Sequence, residues 1–241
     1  MARRKRARQL RGREHPRVAR SRARARGARA DPLGAAPRAR RARPAGPRRQ
    51  ALTFEARWFD AARATADTIV DRFADRAGGG FFQTSSDQER LVARRKELED
   101  NPIPSGPSSA AFGLLRLAAL TGDTRYEEDA AGVLALAGEL ARRHPQSFGH
   151  LLQALDFHRA AVREVALVGA DLAPLARVVH GAFGPHVVVA GGDGSDAGGV
   201  PLLEDRSTRD RRAVAHVCER FACKRRVSEP SELEALLTAP A

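Results

Sequence analysis

Only four of the first fifty residues, Met1, Leu10, Val18 and Leu33, are large and apolar, so any packed core must be drawn from the residues after 50. The same fifty carry 18 Arg and one Lys against Glu14 and Asp31, a net charge of +17. Such a segment cannot bury enough apolar surface to offset the entropy of ordering it, and like charges extend it further. The composition predicts a disordered arm over 1–50. Residues 51–241 hold 23 basic and 27 acidic side chains, a net charge of −4, so the whole-chain +13 and the pI near 11.3 come from the arm alone. The body has no electrostatic reason to bind nucleic acid.

Three readings of the arm stay open. A basic arm would neutralise phosphates and bind RNA or DNA with steep salt dependence. It has no Phe, Tyr or Trp, so it offers no base stacking. An organelle transit peptide would need an amphipathic apolar face, which is missing. The third reading is translation of a GC-rich gene in a wrong frame or from a wrong start, because Ala, Arg, Gly and Pro make up 39 of the fifty. Nucleic acid is a partner only if the arm is a genuine segment.

Two cysteines, Cys218 and Cys223, are too few for a disulfide framework in a chain of 241 residues, so a reduced, cytoplasmic protein is expected. No apolar run reaches the roughly 18 residues of a membrane span, and no membrane partner is expected.

From residue 51 the apolar pattern is helical. Phe59, Ala62, Ala66, Ile69 and Phe73 recur at steps of three and four, predicting a helix over Glu55–Asp75 that Gly78-Gly79-Gly80 ends. Phe81–Thr84 reads as extended, and 88–99 as loop or helix. Ser105 starts a second helix with Pro107 in its first turn; Ala111, Leu114, Leu115 and Ala118 form its stripe. Thr124 with Glu127 reads as a capping box for a third helix, carrying Tyr126, Ala130, Val133, Ala137 and Leu140 on one face. Pro145 opens a fourth. Short connections between successive helices predict antiparallel hairpins.

At Glu164 the period changes. Val165–Val168 is a continuous apolar run, Leu172–Phe183 a helix and Val187–Ala190 a second run, which together predict a parallel crossover. Gly191–Gly199, with five glycines, reads as a loop, Ala213–Cys218 as a third strand, and Ser231 with Glu234 as the cap of a last helix.

Several segments, in order, resemble one family: Gly79-Gly80-Phe81-Phe82 with Thr84; Pro104-Ser105-Gly106; Leu114–Gly122; His144-Pro145; Phe148-Gly149-His150-Leu151-Leu152; and Val217–Cys223. The set is similar to the YyaL-type, spermatogenesis-associated thioredoxin-like proteins over about 51–241. Members of that family carry a thioredoxin-like domain with a Cys-x-x-Cys type motif, then a helical region similar to the α/α toroids of six-hairpin glycosidases and sugar epimerases. The resemblance implies that this chain holds the last hairpins of such a toroid and the α/β segment that follows, without the thioredoxin-like domain. The chain departs from the family pattern in two places. Ser85–Glu89 lacks the family's histidine, and Pro107 stands where the family usually has Asn. If those groups line the toroid cavity, this copy has lost them.

The candidate site residues are few. Cys218 and Cys223 look like the family's paired cysteines. On one strand a separation of five points them to opposite faces, so they read as buried structural thiols, with a disulfide or metal role as the alternative. No second Cys or His pair completes a zinc site. By the toroid resemblance, His150 is the candidate acid or base; a packing histidine is the plainer reading. Asp87 and Glu89, two apart, read as solvated charges. Val168–Asp171 reads as a tight turn rather than a phosphate cradle, since both the dinucleotide fingerprint and the P-loop Lys are missing. Asp193–Asp196 lacks the alternating ligands of a calcium loop. No Gly-x-Ser-x-Gly elbow supports a hydrolase.

The fold expected is mostly α: helical hairpins of a partial α/α toroid over 51–160, then a small α/β segment over 161–241. The function expected is that of a partial member of the thioredoxin domain-containing family without catalysis of its own, and with no cofactor or metal. One rival is a carbohydrate-binding or sugar-isomerising remnant that takes a small-molecule partner at His150. The other is nucleic-acid binding through 1–50. Hairpins lacking ring neighbours expose apolar faces, so self-association is also expected.

Overall fold

The computed structural model describes residues 53–89, 92–195, 199–206, 208 and 212–239, and all structural statements refer to these. The reading of 1–50 lies outside them. The described chain is about half helical, with one four-stranded sheet.

Helix α1 (Ala56–Phe73) buries Phe59, Ala66 and Val70. After it, the Asp75 side chain accepts the N–H groups of Ala77 and Gly78, and Ala74 bridges Phe81. The segment after Phe81 forms no helix. It is instead tied back to itself by Gln83 N–H on Arg95 O at 2.8 Å, with the Arg94 guanidinium 4.1 Å from the Phe82 ring centroid.

Helix α2 (Gly106–Thr121) is the centre of the body. Ser105 caps it as the sequence predicts, accepting the Ser108 N–H at 3.2 Å. Its burial is broader than one stripe, because Ala110, Ala111, Phe112, Leu114, Leu115, Leu117 and Leu120 are all buried. Helix α3 (Thr124–Arg143) packs against it after the two-residue connection Gly122-Asp123, and α4 (Gly149–Arg159) packs against both. Two local readings are corrected. Thr124 is not the cap of α3: Asp123 holds that position and accepts the Arg125 N–H. Pro145 opens a 3-10 turn, Pro145–Ser147, and the α-helix itself starts at Gly149.

Strand β1 (Arg163–Val168), helix α5 (Ala173–Gly181) and strand β2 (Val187–Gly192) form the predicted parallel crossover. Strand β3 (Val214–Glu219) pairs antiparallel with β1, and β4 (Ala222–Val227) with β3, giving the order β2-β1-β3-β4. The last helix, α6 (Pro230–Thr238), starts at Pro230 with Glu229 preceding it, so Ser231 lies inside its first turn rather than capping it.

Alternation along the strands gives the sheet two buried faces. Val165, Leu167, Val189, Ala215, Val217 and Val227 pack with Leu175 and Val179 of α5 and Leu233 of α6. Ala166, Val168, Val188, Ala190 and Val214 join the core of the four helices. No described helix is long and apolar enough to cross a membrane.

Candidate functional site

One carboxylate that the sequence did not flag joins the starts of two helices. Asp100 lies in the loop before α2, and its carboxylate accepts hydrogen bonds from three directions. Oδ1 takes the Ser105 N–H at 2.8 Å and the Ser108 hydroxyl. Oδ2 takes the N–H groups of His150 and Leu151 at 2.8 and 3.1 Å. Phe148, which precedes α4, offers no side-chain cap, and the first turn of a helix has N–H groups without acceptors. Asp100 supplies that cap from 50 residues upstream, and its negative charge suits the positive end of the helix dipole. Burial alone would raise its pKa. The Ser108 hydroxyl and the N–H groups of Ser105, Leu151 and His150 outweigh burial and hold the carboxyl below its ordinary value.

His150 sits at this joint. Its N–H is one of the bonds on Asp100, and its half-buried ring meets the edge of Phe112 at 5.5 Å between centroids. Asp87 is engaged by Arg72 and by the Ser85 hydroxyl, and Glu89 is exposed. Asp171 accepts the Ala173 N–H at the start of α5, which places a carboxylate where a phosphate would have to sit. Asp193 accepts the N–H and hydroxyl of Ser195; Asp196 lies outside the described residues. Among the described residues, no group of three or more His, Cys, Asp or Glu side chains is placed to hold a metal ion.

The two cysteines are brought together. They lie on different strands, so the single-strand reading that separated them is corrected. Arg220 and Phe221 form a two-residue turn with φ of 49° and 62°, which places Cys218 directly opposite Cys223 on the same face. A disulfide joins them. The register then shifts by one residue at Lys224, a bulge that turns Val227 onto the face it shares with Val217. Sequence reasoning missed β4 and its turn because Arg-Phe is not a turn signal and Lys224-Arg225-Arg226 reads as solvated charge. Charge of that kind suits an exposed edge strand.

The turn is anchored on two sides. Its Phe221 N–H donates to Glu164 Oε2 at 2.7 Å. The Phe221 ring covers Gly122, where α2 ends with φ of 71°; a Cβ there would stand 3.3 Å from the ring. Glu164 is 4% exposed, and burial pushes its carboxyl pKa up. The Arg206 guanidinium faces the disulfide, with Nη2 3.4 Å from Cys218 Sγ and 3.0 Å from Cys223 Sγ.

These contacts pair the segments that carried the family resemblance. Ser105 meets His150 and Leu151 through Asp100, and Gly122 meets Phe221. The arrangement defines a body of helical hairpins with a small mixed sheet packed against it. No protein-family profile matches the chain. Spermatogenesis-associated protein 20 of Homo sapiens is 29% identical over 192 residues, which cover 76% of this chain and 24% of that protein. The Rattus norvegicus protein of the same name is 28% identical over 192 residues with the same coverage. The chain therefore spans about a quarter of the length of the curated relatives it matches. Over that stretch the chain is similar to these spermatogenesis-associated proteins.

Proposed function

We propose that the described region is an architectural part of its family's proteins. In this reading, 51–160 supplies the last hairpins of an α/α toroid, 161–241 is the α/β segment packed on them, and neither carries acid–base catalysis. One observation supports this: the segments that resemble the family meet one another at joints that hold main chain. The carboxylate bonded at His150 is Asp100, which meets its main-chain N–H and already accepts four hydrogen bonds, three of them from main-chain N–H groups. A general base must reach the proton it abstracts, and a carboxylate occupied in this way has little capacity left. The histidine of the family pattern is absent near Ser85–Glu89, which removes a second proton-transfer group from the same reading.

Calorimetric titration of the 241-residue chain with neutral mono- and disaccharides tests the proposal. No saturable heat is expected. Saturable binding that His150→Ala abolishes, with the fold intact, would replace this reading with that of a carbohydrate site.

A further inference from the structure

We propose that Cys218 and Cys223 form a reversible dithiol–disulfide couple that exchanges with an external thiol at Cys223, with Arg206 receiving the departing sulfur as a thiolate. This goes beyond the architectural reading and does not depend on it.

Three observations carry the inference. The two sulfurs differ in access: Cys223 is exposed on the edge strand, whereas Cys218 is 1% exposed. An attacking thiolate therefore has one sulfur to reach. The leaving sulfur is held by a cation, since Arg206 Nη2 lies 3.4 Å from Cys218 Sγ and 3.0 Å from Cys223 Sγ. Arg206 is partly buried and fixed by a second bond, from Nη1 to the Leu202 carbonyl. Exchange is faster when the leaving thiol has a lower pKa, and an adjacent guanidinium lowers it. Finally, the hairpin has anchors besides the disulfide. The Glu164 bond to the Phe221 N–H, the Phe221 contact with Gly122 and the β3 pairing with β1 all hold it, so reduction leaves the turn in place and the two thiols opposed for reoxidation.

The exchange balances with an external thiol as reductant. Its thiolate attacks Cys223 Sγ, a mixed disulfide forms there, and the Cys218–Cys223 bond breaks. The electron pair goes to Cys218 Sγ beside Arg206. A second external thiolate, from the same molecule or another, attacks the external sulfur of the mixed disulfide and expels Cys223 as a thiolate. The external thiols lose two electrons and two protons overall and become a disulfide. Other charged and titratable groups around this centre include Glu164, Asp205, His216, Glu219, Lys224, Arg163, Arg220, Arg225 and Arg226.

The oxidised 241-residue chain is treated without denaturant with dithiothreitol, and in a second arm with reduced glutathione. Thiols are counted by alkylation and mass spectrometry while circular dichroism follows the fold. Both cysteines are expected to become alkylatable with the fold retained, and glutathione is expected to be trapped on Cys223. In the reduced protein, Arg206→Gln should raise the pH midpoint of Cys223 alkylation by about one unit, and Arg206→Lys should restore most of it. The same Gln variant should slow reduction about three- to tenfold. Three results would overturn the proposal: thiols that appear only once the fold is lost, glutathione on Cys218, or an alkylation midpoint that Arg206→Gln leaves unchanged.

Discussion

Replacing Asp100 by Ala removes a carboxylate that caps α4 and ties it to the start of α2. Four donors lose their acceptor: the N–H groups of Ser105, His150 and Leu151, and the Ser108 hydroxyl. Loss of a helix cap costs about 0.5–2 kcal/mol. Hydrogen bonds to a charged group contribute about 1.5–3 kcal/mol each, less where water can replace them. Asp100 is only half-buried, so water can reach some of the vacated donors, and the fully buried Ser108 hydroxyl keeps the Ser105 carbonyl, at 3.2 Å, as its acceptor. The expected loss is about 2–4 kcal/mol. Asp100→Asn keeps one acceptor oxygen and should lose about half of that. Urea unfolding of the full chain, followed by far-ultraviolet circular dichroism, measures both.

The same carboxyl predicts a pH dependence. Its folded-state pKa lies below the ordinary 3.8, so the folded protein binds fewer protons than the unfolded chain between the two values. Its contribution is therefore present above pH 3.8 and lost as pH falls through the folded-state pKa. Asp100→Ala should flatten this part of the acid limb. A loss under about 0.5 kcal/mol, with the acid limb unchanged, would refute the view that this carboxylate joins the helices.

Gly122→Ala places a Cβ on a residue in the left-handed region and 3.3 Å from the Phe221 ring. It should cost about 1–2 kcal/mol in thermal or urea unfolding, and an unchanged midpoint would sink the account of this corner. Tyr126→Phe removes the 2.5 Å bond from the buried phenol to Asp67 Oδ1 and should cost about 1–2 kcal/mol. Burial, reinforced by Asp67, pushes the Tyr126 pKa up to about 12. Its contribution is therefore full below pH 10 and is lost as pH rises towards 12, a limb that the Phe variant should lack in alkaline unfolding titrations.

What the sequence made legible follows the range over which its signals act. Helices α1 to α4 and strands β1 and β2 were readable because periodicity and apolar runs are local, as with Phe59, Ala66 and Phe73 or Val165–Val168. The Ser105 cap was readable for the same reason. The cap of α4 was not, because its acceptor is Asp100, far away in sequence and unremarkable in its own loop. The β3–β4 hairpin was hidden by an edge strand of Lys and Arg and by a turn built from Arg220 and Phe221, residues that seldom adopt positive φ. The cysteine pairing followed from that hairpin and could not be read without it.

The central claim is that the family-like segments are joints at which side chains capture main-chain groups. Native-state hydrogen exchange of the Ser105, His150, Leu151 and Phe221 amides tests it most directly, because each donates to a carboxylate, Asp100 or Glu164, rather than to a backbone carbonyl. The account predicts that all four exchange as slowly as amides inside α2, and that Asp100→Ala releases the first three while leaving Phe221 protected. Exchange of these amides at the rate of an open loop in the unaltered chain would contradict it.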